Sequence, residues 1–273
     1  MIFLQPHSGL ANRIRVIVSG LSFAKLNNQQ LIIIWEKDAG LNCTFDDLFK
    51  EIPNVIIKRA SIKFRFINWI KNKKLLRVIF YKFFKIDFAL FDTDFPRYVW
   101  STKSDYINMT LLPPQVSNYY IRACNEFSPN YTYLTYLVPV KTIQELIDLE
   151  VRKFPKQIIG IHIRRTDNDQ SIKESPLNLF VEKIEADLIE DKQTHYFLAT
   201  DAPIVEKELL TLFPSNIIVA KKHFTRNSQE GIVGAMVDMY CLAATTKIYG
   251  SYGSSFSSVA ARIGNIPLIV VKK

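Results

Sequence analysis

Residues 157–169 read Gln-Ile-Ile-Gly-Ile-His-Ile-Arg-Arg-Thr-Asp-Asn-Asp. Ile158, Ile159, Ile161 and Ile163 are β-branched and bounded by polar residues, the pattern of a buried strand. His162, Arg164, Arg165, Thr166 and Asp167 come at its end. In an open α/β sheet, ligands bind beyond the carboxyl ends of strands. Two arginines there suit a polyphosphate, because a guanidinium is charged at any physiological pH and pairs bidentately with phosphate oxygens. Strand alternation would point Arg164 and Arg165 to opposite faces. One would then meet the ligand while the other pairs with Asp167 to hold the loop. The plainer alternative is a solvated strand end with one Arg–Asp salt bridge.

Downstream, the pattern alternates. A helix starts at Ser175-Pro176, with proline at its first position. Tyr196–Asp201 is a strand ending in a carboxylate, and Ala202-Pro203 opens a helix to about Phe213. Strand Asn216–Ala220, helix Glu230–Ala244, strand Lys247–Gly250, a turn over 251–256, helix Ser257–Ile263 and strand Pro267–Val271 follow. From 157 to 271 the order is β-α-β-α-β-α-β-α-β, which predicts a doubly wound parallel sheet. Upstream, Thr142–Phe154 is a helix ended by Pro155. The domains expected are 1–150 and 151–273.

In the first half, Ile2–Gln5 is a strand running into Pro6-His7-Ser8-Gly9-Leu10-Ala11-Asn12-Arg13 and then into an apolar helical pattern. A strand, a glycine-containing turn and a helix N-terminus form a ready anion site. The alternative is an ordinary turn capped by Asn12 or Ser8. Leu31–Trp35 is a strand. Cys43–Lys50 is expected to be a short helix with Thr44 as N-cap and Asp47 three residues on. Residues 92–139, with Pro96, Pro113, Pro114, Pro129 and Pro139, read as irregular.

Of the 273 residues, 48% are hydrophobic and 22% charged, enough for packed cores and against wholesale disorder. Three widely spaced cysteines argue against a disulfide framework. No Cys/His cluster has zinc-ligand spacing, so no metal is expected. The first residues are too short and uncharged for a signal peptide, and no apolar run is long enough to span a bilayer. The net charge of +9 is local. Residues 58–86 carry Lys58, Arg59, Lys63, Arg65, Lys71, Lys73, Lys74, Arg77, Lys82 and Lys85 with no acid, leaving the rest of the chain close to neutral. The same region, 56–91, is rich in phenylalanine. It reads as a surface lying on an anionic membrane, as a nucleic-acid surface, or as helices whose aromatics pack inward and whose lysines are solvated.

Gly250-Ser-Tyr-Gly-Ser-Ser before a helix is a second anion-site candidate, the alternative being helix capping by Ser254 or Ser255. Asp238 sits mid-helix among Met236, Val237, Met239 and Tyr240, where a carboxylate needs a partner. It could accept from a guanine edge or cap a neighbouring loop.

Together, Gly-Ile-His-Ile-Arg-Arg-Thr-Asp, Phe-Leu-Ala-Thr-Asp, and Asp238 ahead of Gly-Ser-Tyr-Gly-Ser-Ser-Phe resemble the GDP-fucose-dependent fucosyltransferase superfamily. The likeness is nearest to the α-1,6-fucosyltransferases of N-glycan cores and Nod factors, and more distant to the protein O-fucosyltransferases. It covers about 157–262 and reaches His7–Arg13, while 52–140 is unmatched. The resemblance implies a GT-B fold, with two Rossmann-like domains and the donor held mainly by the C-terminal one. It implies inverting, metal-independent transfer from GDP-β-L-fucose, with no cofactor. Carried over by motif, Arg164 would hold the β-phosphate and Arg165 would support the site. His162 and Asp238 would read guanine, Ser254 would bind phosphate beside Ser255 and Phe256, and Asp167 and Asp201 would lie near the donor. His7, Gly9 and Asn12 would face the phosphates from the opposite domain. A glutamate after the motif is a proposed base in core fucosyltransferases. Here the loop Asn168–Ser175 is about one residue shorter, and Asp169 and Glu174 are the local carboxylates.

The partners expected are a GDP-sugar donor, a glycan acceptor held on a lipid, and an anionic membrane touched from the cytoplasmic side, with no nucleic acid. The setting implied is a bacterial enzyme of surface-glycan assembly. Two other readings stand beside it: a GDP-sugar-binding protein without turnover, and a nucleic-acid-binding protein using 58–86.

Overall fold

A computed structural model describes residues 1–97, 116–221, 223–225 and 227–273. Pro113 and Pro114 of the segment expected to be irregular lie outside these residues. The chain divides into two compact units, Met1–Val138 and Pro139–Lys273.

The first unit begins with β1 (Ile2–Pro6), α1 (Leu10–Leu26), β2 (Leu31–Trp35) and β3 (Val55–Arg59). It continues with α2 (Ile62–Trp69), α3 (Lys74–Phe83), β4 (Phe88–Phe91) and β5 (Tyr119–Ala123). Its sheet has the order β3-β2-β1-β5-β4, all parallel. β2 is buried along its whole length, as its unbroken Leu-Ile-Ile-Ile-Trp run requires of a strand covered on both faces. Winding runs from β1 out through β2 to β3, then resumes on the other side, so the reversal lies between β1 and β5.

Two sequence expectations change here. β5 (Tyr-Tyr-Ile-Arg-Ala) is a central strand inside the segment read as irregular, paired with β1 from Ile2↔Tyr119 to Pro6↔Ala123. It is aromatic and β-branched but only five residues long, and the flanking prolines hide it. Cys43–Lys50 is a series of turns, not a helix. The Thr44 N–H does donate to the Asp47 carboxylate at 2.7 Å. However, the backbone bonds outward: the Cys43 carbonyl accepts from the Trp35 indole at 2.8 Å and the Lys50 N–H donates to the Val138 carbonyl at 2.9 Å.

The basic, aromatic region forms α2, α3 and their flanks. Phe64 stacks on Tyr120, and Phe66 packs edge-on to Phe80 at 4.7 Å. These aromatics face inward. Leu75, Val78, Ile79 and Phe83 of α3, at helical spacing, are each more than half exposed, as are Ile62 and Trp69 on α2.

The second unit contains α4 (Lys141–Val151), β6 (Ile158–Ile163), α5 (Asp169–Glu174), α6 (Leu177–Glu190), β7 (His195–Thr200) and α7 (Pro203–Leu212). After these come β8 (Ile217–Ile218), α8 (Gln229–Ala243), β9 (Ile248–Ser251), α9 (Ser255–Gly264) and β10 (Leu268–Val271). The sheet order is β10-β9-β6-β7-β8, all parallel, which is the doubly wound arrangement expected. The division between units precedes α4, which packs on α8; a boundary at 150 cuts this helix. The loop expected at 168–175 contains α5, whose start is capped by the Asn168 side chain accepting from the Ser171 N–H at 3.0 Å.

Candidate functional site

In the second unit the reversal of winding lies between β6 and β9, the place where a doubly wound sheet opens a crevice. Glycines let the layers close around it. A Cβ at Gly160 would come within 2.8 Å of Thr245 and 2.9 Å of Leu242, and one at Gly250 within 2.7 Å of Ser257. The strand ends are laced together: Arg164 N–H donates to Ser251 Oγ at 3.1 Å, and Ser251 O–H donates to the His162 carbonyl at 3.4 Å. The buried His162 ring stacks on Phe256 of α9, with centroids 4.8 Å apart and planes 21° apart.

Arg164 is mostly buried and sits between two carboxylates, Asp201 at 2.9 Å and Asp167. Asp201 also accepts from the N–H of Arg165 at 2.8 Å and from the Thr166 hydroxyl at 2.7 Å. It therefore braces the whole turn after β6. Arg165 turns away and donates to the carbonyls of Arg164 (2.9 Å) and Ser175 (2.7 Å). Burial lowers its pKa, and the charge of Asp201 offsets part of that. The two side chains thus diverge, as alternation predicts, and Asp167 pairs with Arg164 rather than with Arg165.

The β9–α9 turn passes through Gly253 at φ +65°, a left-handed conformation that favours glycine. Ser254 is the N-cap of α9, yet its side chain makes no capping bond. Capping by Ser254 is therefore not what forms here. Asp238 is buried in α8, which packs on α9, β6 and β7. Asp169 stands exposed in the first turn of α5 and Glu174 half-buried in its last. Among the described residues no hydrogen bond or ion pair ties either carboxylate to Arg164.

Serines that the motifs do not single out complete the frame. Ser175 Oγ accepts from the Tyr252 N–H at 2.8 Å and donates to the Val271 carbonyl, and Ser171 O–H donates to the Tyr252 carbonyl. They fasten α5 to the turn before α9. Nothing in their spacing marks them out; only the folded sheet brings residues 77 to 96 positions apart together.

In the first unit, β1 leads into Ser8 at φ +72° and Gly9, the N-cap of α1. No side chain caps this helix; the Asn12 amide donates to Ser8 Oγ at 3.1 Å instead. A Cβ at Gly9 would meet nothing within 4 Å, and its φ of −71° is open to any residue. Arg13, fully buried, pins the turn: its Nε donates to the Ser8 carbonyl at 2.9 Å and its Nη2 to Asp38 at 2.8 Å, over the Trp35 ring.

Three strand ends converge beside it. His7 Nε2 lies 2.5 Å from Asp92 after β4, and Asp92 accepts from the Cys124 N–H at 3.0 Å after β5. Burial alone would raise the Asp92 pKa. Hydrogen bonds from His7 and from the N–H groups of Cys124 and Asn125, with the His7 charge, hold it below the ordinary value. Burial pushes the Cys124 thiol up to about 11, with the Asp92 charge adding to the shift. Sequence reading named His7 but missed Asp92, 85 residues away.

No known family profile matches the chain, and no curated protein does. Solved structures do. Fucosyltransferase NodZ from Bradyrhizobium is 17% identical, with a TM-score of 0.64 over 95% of this chain and 92% of that one. A mutant of Arabidopsis thaliana FUT1 in complex with GDP is 16% identical, with a TM-score of 0.63 over 100% of this chain and 70% of that one. POFUT1 in complex with GDP-fucose is 12% identical, with a TM-score of 0.57 over 99% and 97%. The likeness is one of fold. The chain has the α/β architecture of the GT-B fucosyltransferases, with two parallel five-stranded sheets.

Proposed function

We propose that the protein is a glycosyltransferase that moves L-fucose, with inversion and without a metal, from GDP-β-L-fucose to a hydroxyl of a glycan. The observation that carries this reading is the cluster at the β6–β9 reversal. There a braced arginine, a buried histidine stacked on Phe256 and the N-terminus of α9 stand at one sheet reversal. The fold neighbours crystallised with GDP or GDP-fucose support the donor.

In this reading Arg164 takes the β-phosphate of the donor and stabilises the departing GDP. Breaking the anomeric bond leaves an oxocarbenium-like sugar and a more negative diphosphate, and donors aimed at that developing charge are the largest catalytic term available. Asp201 and Arg165 hold the turn that aims Arg164. His162 and Asp238 read the guanine edge, and Ser254 and Ser255 add donors at the head of α9. Calorimetric titration with GDP-fucose, GDP-mannose, UDP-galactose and GDP, without metal, tests the donor site. Guanine-selective binding weakened by Arg164→Ala and Asp238→Ala is expected; indifference to both substitutions would retire the assignment.

The exposed stripe Leu75, Val78, Ile79 and Phe83 supports a second element: docking of α3 on an anionic membrane, where the acceptor is a lipid-linked precursor of a surface glycan. No helix among the described residues is long and apolar enough to cross a membrane. Binding to anionic vesicles should fall with salt and with Val78→Ser and Phe83→Ser. Equal binding to RNA and vesicles would point to non-specific attraction by the lysines.

A further inference from the structure

We propose that His7, Asp92 and Cys124 form a metal site within the first unit, taking one Zn²⁺ ion through imidazole, carboxylate and thiolate. Their ligand atoms, one from each side chain, all lie within 4.8 Å of one another. Each residue is the first beyond a strand: His7 follows β1, Asp92 follows β4 and Cys124 follows β5. β5 pairs with both of the other strands, and the registers Pro6↔Ala123 and Phe91↔Arg122 bring the three ends level. The convergence is a product of the fold. His7 and Asp92 are 85 positions apart, and Asp92 and Cys124 are 32 apart, so no local ligand spacing announces them.

The donor set selects the ion. Hard cations such as Ca²⁺ and Mg²⁺ take oxygen ligands and would leave the thiol and imidazole unused. Zn²⁺ accepts all three, and its usual bond lengths in a tetrahedral shell put ligand atoms about 3.3–3.6 Å apart. The widest separation here then has to close by about 1 Å, and the 2.5 Å contact between His7 and Asp92 has to open by a similar amount. The side chains of His7 and Asp92 are 21% and 24% exposed, so an ion can enter and a water molecule can complete the fourth position.

The surroundings hold the ligands in place, as outer-shell partners of metal sites do. The Cys124 N–H donates to Asp92 Oδ1 at 3.0 Å, which leaves Oδ2 turned to His7. Arg15 Nε donates to the Cys124 carbonyl at 2.9 Å, and its Nη2 donates to Asn125 Oδ1 at 2.8 Å. The His7 backbone N–H donates to the Ala123 carbonyl at 3.1 Å. The charges balance as well, since a thiolate and a carboxylate neutralise a divalent ion. Burial keeps the free thiol protonated, while Arg15 and Arg122 act the other way, and a bound metal completes the deprotonation.

On binding, Cys124 Sγ bonds to the ion and gives its proton to water. Neutral His7 bonds through Nε2 and carries its proton on Nδ1, while Asp92 exchanges its hydrogen bond to His7 for a bond to the metal. The ion ties the ends of β1, β4 and β5 together. The site does not depend on the donor assignment, whose chemistry takes no metal.

The test uses the full chain, stripped with chelator and kept reduced without added thiols, titrated with Co²⁺ and then Zn²⁺. Equimolar Co²⁺ should give a thiolate-to-metal charge-transfer band and the intense visible bands of a four-coordinate ion, and equimolar Zn²⁺ should abolish both. Cys124→Ser should lose the charge-transfer band, whereas Cys43→Ser and Cys241→Ser keep it. His7→Ala and Asp92→Asn should weaken Zn²⁺ binding by at least about 10–100-fold, the cost of disturbing even an outer-shell partner. X-ray absorption of the zinc-loaded wild-type chain should show one sulfur at about 2.3 Å beside nitrogen or oxygen at about 2.0–2.2 Å, and this measurement needs no variant to fold. A six-coordinate Co²⁺ spectrum, a zinc shell without sulfur, or binding indifferent to Cys124→Ser and His7→Ala would mean an adventitious ion only and overturn the proposal. The GDP-fucose titration is run without metal, so its failure retires the donor reading and leaves this site untouched.

Discussion

Nη1 of Arg164 lies 2.9 Å from a carboxylate oxygen of Asp201, and that carboxylate also holds the Arg165 N–H and the Thr166 hydroxyl. The guanidinium is therefore aimed before any ligand arrives. Preorganised donors are effective because little reorganisation is left for the reaction itself.

Arg164→Ala should weaken GDP-fucose binding and slow transfer by about 10²–10³-fold, the cost of losing one such donor. Arg164→Lys should recover little, since an ammonium lacks the planar fork. Titration calorimetry and GDP-release rates on both variants decide it; a fully active lysine variant would mean that charge alone suffices.

In the proposed donor site Asp167 would compete with a phosphate for the Arg164 guanidinium, and its side chain is 51% exposed. Asp167→Asn should bind GDP several-fold tighter, because the arginine no longer gives up an ionic partner. Weaker binding would show instead that Asp167 positions Arg164 for the ligand.

Gly9 and Gly250 should respond oppositely to alanine. The fold has open space at Gly9, so Gly9→Ala should keep the wild-type denaturation midpoint. At Gly250 the added methyl meets Ser257 and Leu268 below 3 Å, so Gly250→Ala should destabilise the protein by roughly 1–3 kcal/mol. Urea melts separate the two.

Asp187 joins α6 to the sheet by accepting from Tyr249 at 2.7 Å and Lys183 at 2.8 Å. Burial alone would raise its pKa, but these bonds and the charges of Lys183 and Lys247 hold it below the ordinary value. A folded-state pKa below the unfolded one adds stability that is complete above about pH 4 and is lost as pH falls through the folded value. The stability gap between wild type and Asp187→Asn should therefore narrow in acid. Urea melts at pH 7 and pH 3 measure it, and a gap independent of pH would exclude the ionic contribution.

What could be read from the sequence was whatever is local. The β-α alternation over 157–271 follows from apolar runs separated by Pro and Ser starts, and β6 is legible because four isoleucines and a polar end mark it. β5 was not legible: it is five residues between prolines, and it is a strand only because β1 and β4 flank it. Cys43–Lys50 carries a helix-start pattern, but its backbone bonds to Trp35 and Val138 instead. At the site, Arg164, His162 and the serine turn stand out by residue type at strand ends. Asp92 opposite His7, and Ser171 and Ser175 under the α9 turn, depend on contacts across 77 to 96 residues and have no local signal.

The bond from Arg164 N–H to Ser251 Oγ spans 87 residues of chain. β6 therefore leaves the ribosome with one flank unsatisfied until β9, more than 80 residues later in the chain, has followed it. Until then the nascent second unit presents an apolar, unpaired strand edge, the kind of surface that recruits other strands. A chain stopped between residues 164 and 247 has β6 but lacks the β9 that covers this flank, and it should accumulate as aggregate rather than as a weakened form of the protein.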